Sequence, residues 1–487
     1  MRIRNIVDKI GIYLSSNNYQ KLKQIAICYS IFLISFTIRT IIETWFLHNY
    51  DVTPYISPAG HYWETYQDAT DYYQSYLYAF RYLNWNLYGD MTWPFAGYVY
   101  GPIFAYMLVF LSYFVQIFNP SLTRMELAWE TVTFAPAFFD SLTTILIFLI
   151  IQKSAKKKIK GVMQYILPLI CSIVYTFLPV VLFYNNIVYL NTYMFTFFTV
   201  LALYFLISEN HKLSAGFLVI AVFTKLIALY LVPIFFLYYF RNDIKKSLEF
   251  LLVLFVVGLI ISLPWIFIHK LGFFRRQFWT GTTINVQFSI LPMWMLWSTT
   301  PFHAFLYWEW DGLALFYFNM NELYLPLFLF FIFCYFAMML IGPHLYEKKG
   351  AWYSFLAMFV IGTHLFQSRG NYKYYDPFFM PFLIIAFAQL YRNIKWKSLA
   401  TAIFLALVSW LFVVNVWIIL QIKWLHMFYV FLLLITVIAT YDLTMHLTFW
   451  KPQNYKDLFV FSKESIILLK QKISEKKLIK KKKKKEN

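Results

Sequence analysis

Charge is scarce in this sequence. Charged residues make up 13% of the 487, against 61% hydrophobic and 23% aromatic. With a mean hydropathy of +0.58, that much apolar surface exceeds what a soluble core can bury, and a bilayer is its natural solvent. Cysteine is scarcer still. Cys28, Cys171 and Cys334 lie far apart inside apolar runs, which suggests neither a disulfide framework nor a metal site and suits small buried hydrophobes. No Walker loop, no GxGxxG after a strand, no HExxH and no nucleophile elbow occurs, so soluble-nucleotide chemistry has no evident site. An early apolar core is missing from Met1 to Lys23, so no cleavable signal peptide is expected and the first apolar run serves as a signal anchor.

What charge there is has a strong sign, +19 overall, and it collects between apolar runs and in the tail. That distribution is an orientation signal; nucleic-acid binding would call for a basic face on a folded soluble domain. The expected fold is all-α, a polytopic transmembrane helical bundle with a large first external loop containing short amphipathic helices. Residues 1–23 form a cytoplasmic basic N-terminus, 24–447 the transmembrane domain and 448–487 a cytoplasmic basic tail that also attracts anionic membrane lipid.

The crossings follow the basic links. Gln24 to Trp45 exits, and Asp51 to Phe95 is external. Five lysines in Gln152 to Lys160 argue that Thr131 to Ile151 is the second full crossing, leaving Gly101 to Phe118 in the interface or dipping in and returning. Gly161 to Tyr184 goes out and Asn191 to Ile207 returns. Leu213 to Phe240 is a hairpin of two short helices with Lys225 near its middle, and Leu248 to His269 exits into the external segment Lys270 to Tyr324. Tyr324 to Ile341, Trp352 to Gln367, Pro377 to Tyr391, Ser398 to Leu420 and Leu425 to Leu447 complete the alternation. The terminal Lys484, Lys485, Glu486 and Asn487 fit a dilysine retrieval pattern, as any polylysine tail ending two residues later would; the expected membrane is the endoplasmic reticulum in a eukaryote and the cell membrane in a prokaryote.

Chemistry concentrates in the first external loop. Asp68 and Asp71 precede Tyr72, Tyr76, Ala79, Phe80 and Leu83, which recur at helical spacing, so a short amphipathic helix is expected to start near Asp71. Either aspartate can cap that helix, or, desolvated among aromatics at the membrane surface, act as a general base. Asp90, beside Gly89, suits a turn. Asp140 and Lys225 lie within apolar runs, where a charge normally faces a partner or a watery cavity. For Asp140 the alternatives are a role in or beside an active site and a structural bond to a neighbouring helix. For Lys225 they are snorkelling and pairing with a carboxylate or phosphate. External Arg275, Arg276, Arg369 and Lys373 are either a solvated face or a clamp on a lipid phosphate. Tyr98, Tyr100 and Tyr375, like other external aromatics, belong to the interfacial belt or line a sugar site.

Five pieces occur in order: TDYYQSYLYAF, YVYGPIFAYML, FAPAFFDSLTTILIFL, GFLVIAVFTKLIALYLVPIFF and NYKYYDPFFMPFL. Through them the chain resembles the GT-C superfamily of membrane glycosyltransferases that use polyprenyl-phosphate sugars, in particular the catalytic subunit of glycosylphosphatidylinositol mannosyltransferase I and its prokaryotic relatives. The second Asp of the family's DxD-like pair falls on Asp71, while the first falls on Ala69, one residue from Asp68. The family's transmembrane Asp falls on Asp140 and its apolar-flanked Lys on Lys225. The resemblance implies inverting transfer of a hexose, often mannose, from a polyprenyl or dolichyl phosphate to a lipid-linked or surface glycan on the external or lumenal face. Asp71 is then the base, and Lys225, Arg275, Arg276, Arg369 and Lys373 are donor-phosphate ligands. A divalent cation is a possible cofactor and a second subunit a possible partner; the metal ligands are unknown. The competing class is a flippase of lipid-linked sugars, which more often has internal repeats and helices broken at the midplane; no repeat relates the two halves of this chain.

Overall fold

The computed structural model describes residues 17–49, 73–83, 88, 100–155, 163–187, 189, 191–269, six positions between 352 and 360, and 376–393. Among them no strand occurs, and nearly every residue is helical. The long helices are α1 (Asn17–Asn49), α2 (Pro102–Phe118), α3 (Arg124–Ala155), α4 (Met163–Thr176), α5 (Thr192–Ile207), α6 (His211–Thr224), α7 (Val232–Asn242), α8 (Ile244–His269) and α9 (Asp376–Asn393). Three of them, α1, α3 and α8, are long and apolar enough to cross a membrane. A fourth crossing is formed if α4 and the bent segment Pro179–Ile187 count as one. These are the dimensions of a multi-pass helical membrane protein.

Helix starts follow local chemistry. Thr123 and Glu126 make a reciprocal capping box at α3: the Glu126 N–H donates to Thr123 Oγ1 (3.3 Å) and the Thr123 N–H to Glu126 Oε2 (2.8 Å). Asn210 accepts the Leu213 N–H (3.2 Å) to cap α6, and Asp243 accepts the Lys245 N–H (2.9 Å) to start α8. Pro102 opens α2, where a missing N–H costs nothing.

The central helix is α3. Its most apolar stretch is 72% buried, against 11% for α8, and it touches α1, α2, α4, α5 and α9. The perimeter helices α1 and α8 turn Ile34, Ile41, Leu252, Phe255 and Ile260 outward, the faces that lipid covers. At 17 residues, or about 26 Å at 1.5 Å per residue, α2 is shorter than a full crossing and packs against α3 and α6.

Several expected elements are found where the apolar runs put them. The hairpin from Leu213 to Phe240 is α6, a 3-10 turn (Leu226–Leu231) and α7, and its return is marked by the His211 and Tyr239 rings 6.0 Å apart. The run from Gly161 to Tyr184 is not one straight helix: it bends by 44° after Thr176 and passes through Pro179–Val181 into a π-helix, Leu182–Ile187. The amphipathic helix after Asp71 is helical from residue 73, but from Ala79 to Leu83 it widens into a π-turn. Widening rotates the later positions, so Tyr73, Tyr76, Leu77, Ala79 and Phe80 are buried while Leu83, expected on the same face, is 68% exposed.

Candidate functional site

One end of the bundle gathers the finish of α1 and α6, the start of α2 and α5, and the helix from residue 73. Its anchor is Gly101. The Gly101 N–H donates to the Thr224 carbonyl (3.3 Å), and a Cβ at this position would fall on the Phe223 carbonyl. Only glycine permits that approach of the loop to the end of α6. It seats Tyr100 beside Lys225, the residue at which α6 stops and the 3-10 turn begins.

Lys225 has extended backbone (φ −153°), and its ammonium reaches back to donate to Asn191 Oδ1 at 2.8 Å. The charge stands 5.7 Å from the Tyr100 ring centroid and 5.6 Å from that of Phe195, a cation held over aromatic faces. The hydroxyls of Tyr73 and Tyr100 are 3.1 Å apart, and Tyr88 donates to the Tyr100 carbonyl (2.8 Å). Tyr73 is the common neighbour of this group, within electrostatic range of Tyr100 and Tyr193 and against the Asn191 backbone N–H. Burial, then the nearby Tyr100, lifts the Tyr73 hydroxyl well above the ordinary phenol range, so it serves as a neutral hydrogen-bonding group. Arg81 fastens the same helix to α2 through Ser112 (2.7 Å) and lies 4.1 Å from the Tyr113 ring centroid.

A second polar centre lies deeper. Arg39 of α1 and Asp140 of α3, both fully buried, form an ion pair of 3.2 Å. The guanidinium also donates to Asn186 Oδ1 (2.6 Å), the Tyr175 carbonyl (3.3 Å) and Ser35 Oγ (3.3 Å). The carboxylate accepts from Asn185 (3.1 and 3.2 Å) and from the Tyr175 hydroxyl (3.3 Å). α1, α3, α4 and the π-helix are thereby tied at one point. Of the alternatives for Asp140, this geometry is a bond to neighbouring helices. Tyr193 lies between the two centres, its hydroxyl within electrostatic range of both Asp140 and Tyr100 without bonding to either.

One helical turn beyond Arg39, Glu43 is buried too and accepts the Tyr189 hydroxyl at 3.0 Å; among the described residues it makes no ion pair. Tyr189 occupies the left-handed region (φ 55°), an uncommon conformation for a bulky residue, and burial reinforced by Glu43 holds its hydroxyl far above the usual phenol range.

Of the residues singled out from sequence, Tyr100 and Lys225 are brought together here, and Asp140 lies in the adjoining centre. Asp68, Asp71, Asp90, Tyr98, Arg275, Arg276, Arg369, Lys373 and Tyr375 lie outside the described residues, as do Cys334, the segment 270–324 and the tail 448–487. Among the described residues no three His, Cys, Asp or Glu side chains gather into a metal site. Arg39, Glu43, Asn191 and Tyr193 were not among the sequence candidates. For the first two a signal was available, since Arg and Glu four residues apart in an otherwise apolar run need partners inside the membrane. Asn191 and Tyr193 carry no comparable local mark. No family model matches this sequence, and no curated protein matches it.

Proposed function

We propose that this chain is a multi-pass membrane glycosyltransferase that moves a hexose, with mannose the first donor to test, from a polyprenyl or dolichyl phosphate to a lipid-linked or surface glycan. The observation that carries the proposal is the convergence at Tyr100. Lys225 stands over its ring, and Tyr73, two positions after Asp71 in the chain, meets its hydroxyl. A cation fit for a phosphate thus stands at one aromatic-lined end of the bundle, against the helix described from Tyr73, two residues after Asp71 in the sequence.

In the proposed reaction the acceptor hydroxyl attacks the anomeric carbon while Asp71 takes its proton. The new glycosidic C–O bond forms as the bond from the anomeric carbon to the phosphate oxygen breaks, with inversion. The polyprenyl phosphate leaves with the electron pair, and Lys225 stabilises its growing charge. Removing one such donor typically costs ~2.7–4 kcal/mol of transition-state stabilisation, or about 10²–10³ in rate. Tyr73 and Tyr100 position the sugar and exclude water.

A flippase for the same lipid is the second reading, favoured by the bend after Thr176 and the interruption at Lys225. Purified protein in lipid, given radiolabelled polyprenyl-phosphate mannose and acceptor, separates the two. Transfer by wild type, lost in folded Asp71→Asn and reduced about 10²–10³-fold in Lys225→Met, supports the transferase. Donor lipid crossing the bilayer without transfer from mannose or glucose donors would overturn it in favour of the flippase.

A further inference from the structure

The amide of Asn191 has an orientation that its neighbour dictates. An ammonium only donates, so the Asn191 oxygen must face Lys225, which it does at 2.8 Å. The amide nitrogen then points the other way. Asn191 is 1% exposed, and its Nδ2 has no acceptor among the described residues. A buried donor left unbonded is costly and calls for a partner.

Three further features lie at Asn191 or next to it in the chain and fold. Asn191 immediately precedes α5, a 16-residue helix, yet its side chain makes no capping bond to the first turn. The positive end of the helix dipole is therefore not neutralised by the residue best placed to do so. Tyr193, in that first turn, has a fully buried hydroxyl that also lacks a partner among the described residues. Lys225 supplies a full positive charge at the same place. An amide donor, an uncapped helix start and an ammonium share one polarity, the Tyr193 hydroxyl can add a fourth donor, and the complement to all of them is an anionic oxygen.

We propose that Asn191, Tyr193 and the start of α5 form, with Lys225, a binding site for a phosphate anion. Asn191 is its specificity-determining group, donating one amide hydrogen bond to a phosphate oxygen while holding the ammonium with its carbonyl. This rests on the glycosyltransferase reading for the source of the phosphate, the headgroup of a polyprenyl lipid, but the site itself follows from the donors.

The test is equilibrium binding of undecaprenyl phosphate to the full chain in nanodiscs of neutral phosphatidylcholine, read by intrinsic tryptophan fluorescence, with undecaprenol as control and inorganic phosphate as a soluble competitor. Asn191→Asp is the informative variant. It keeps size and shape and accepts from Lys225 more strongly, but it removes the donor and adds a negative charge. If Asn191 only braces Lys225, Asp serves as well or better. The expected result is an unchanged or raised melting temperature with binding weakened at least tenfold, the worth of a hydrogen bond to a charged group. Tyr193→Phe, which deletes one oxygen, is expected to weaken binding about two- to tenfold and stands alone if the first variant misfolds.

Competition by inorganic phosphate assigns the site to the headgroup, and its absence assigns it to phosphate presented on the lipid. Undecaprenol binding as tightly as undecaprenyl phosphate, or wild-type affinity in Asn191→Asp, overturns the proposal. Phosphate-dependent binding that Asn191→Asp weakens, without sugar transfer under any donor, leaves the site standing and removes the transferase reading.

Discussion

Removing the Arg39 guanidinium should unfasten the bundle. Arg39→Met deletes the 3.2 Å ion pair with Asp140 and the bonds to Asn186, Tyr175 and Ser35, leaving a carboxylate at the protein centre with only Asn185 and the Tyr175 hydroxyl. Breaking a buried pair from one side typically costs ~3–5 kcal/mol, because the remaining charge is stranded. Asp140→Leu should cost a similar amount for the mirror reason. Simple addition of the two gives about 6–10 kcal/mol. The double variant strands no charge. It loses partners for three neutral groups, the Asn185 and Asn186 amides and the Tyr175 hydroxyl, at about 1–3 kcal/mol each, so it should lie below the sum of the singles, by the share of that sum due to stranded charge. Reversible unfolding in mixed micelles, followed by tryptophan fluorescence, measures all three. If the double variant equals the sum within about 0.5 kcal/mol, the limit of ordinary additivity, the two residues are not paired and the reasoning is wrong. A transfer assay on the folded double variant then tests fastening against chemistry: retained activity makes the Arg39–Asp140 pair a fastening group, and activity lost while the protein remains folded gives the pair a part in the reaction.

Gly101→Ala should displace the loop from the Phe223 carbonyl and carry Tyr100 away from Lys225, with a stability loss of about 1–3 kcal/mol, as for overpacking, visible as a lower melting temperature. Tyr189→Phe deprives buried Glu43 of its hydrogen bond and should cost ~1–3 kcal/mol, which Glu43→Gln in the same background should partly recover; unfolding titrations decide. Thr123→Ala should cost about 0.5–2 kcal/mol through loss of the capping box at α3, and amide exchange should rise in the first turn of that helix before any other.

Much of the architecture is legible from apolar runs because helix formation in a bilayer is a local matter of length and hydropathy. α1, α3 and α8 and the hairpin carrying Lys225 all lie where those runs put them. What local reasoning misses is pairing across the chain. Asp140 plainly needs a partner, but nothing near it identifies Arg39, 101 residues earlier. Likewise Asn191 is an ordinary residue before a helix until the fold brings Lys225 to it from 34 residues away. The misplacement of Leu83 has another origin: a fixed helical period cannot anticipate a π-turn, which shifts every position after it.

The fastening at Arg39 also imposes an order on biosynthesis. Arg39 leaves the ribosome 101 residues ahead of Asp140 and 147 ahead of Asn186. At ~5–20 residues per second, that separation is roughly 7–30 s of translation. Throughout it α1 holds a guanidinium that lipid tolerates poorly, at about 2.5–3.5 kcal/mol on insertion scales. The polar partners that satisfy Arg39 in α1 are thus complete only once the π-helical turn has been made, and α1 is the described helix that waits longest for them.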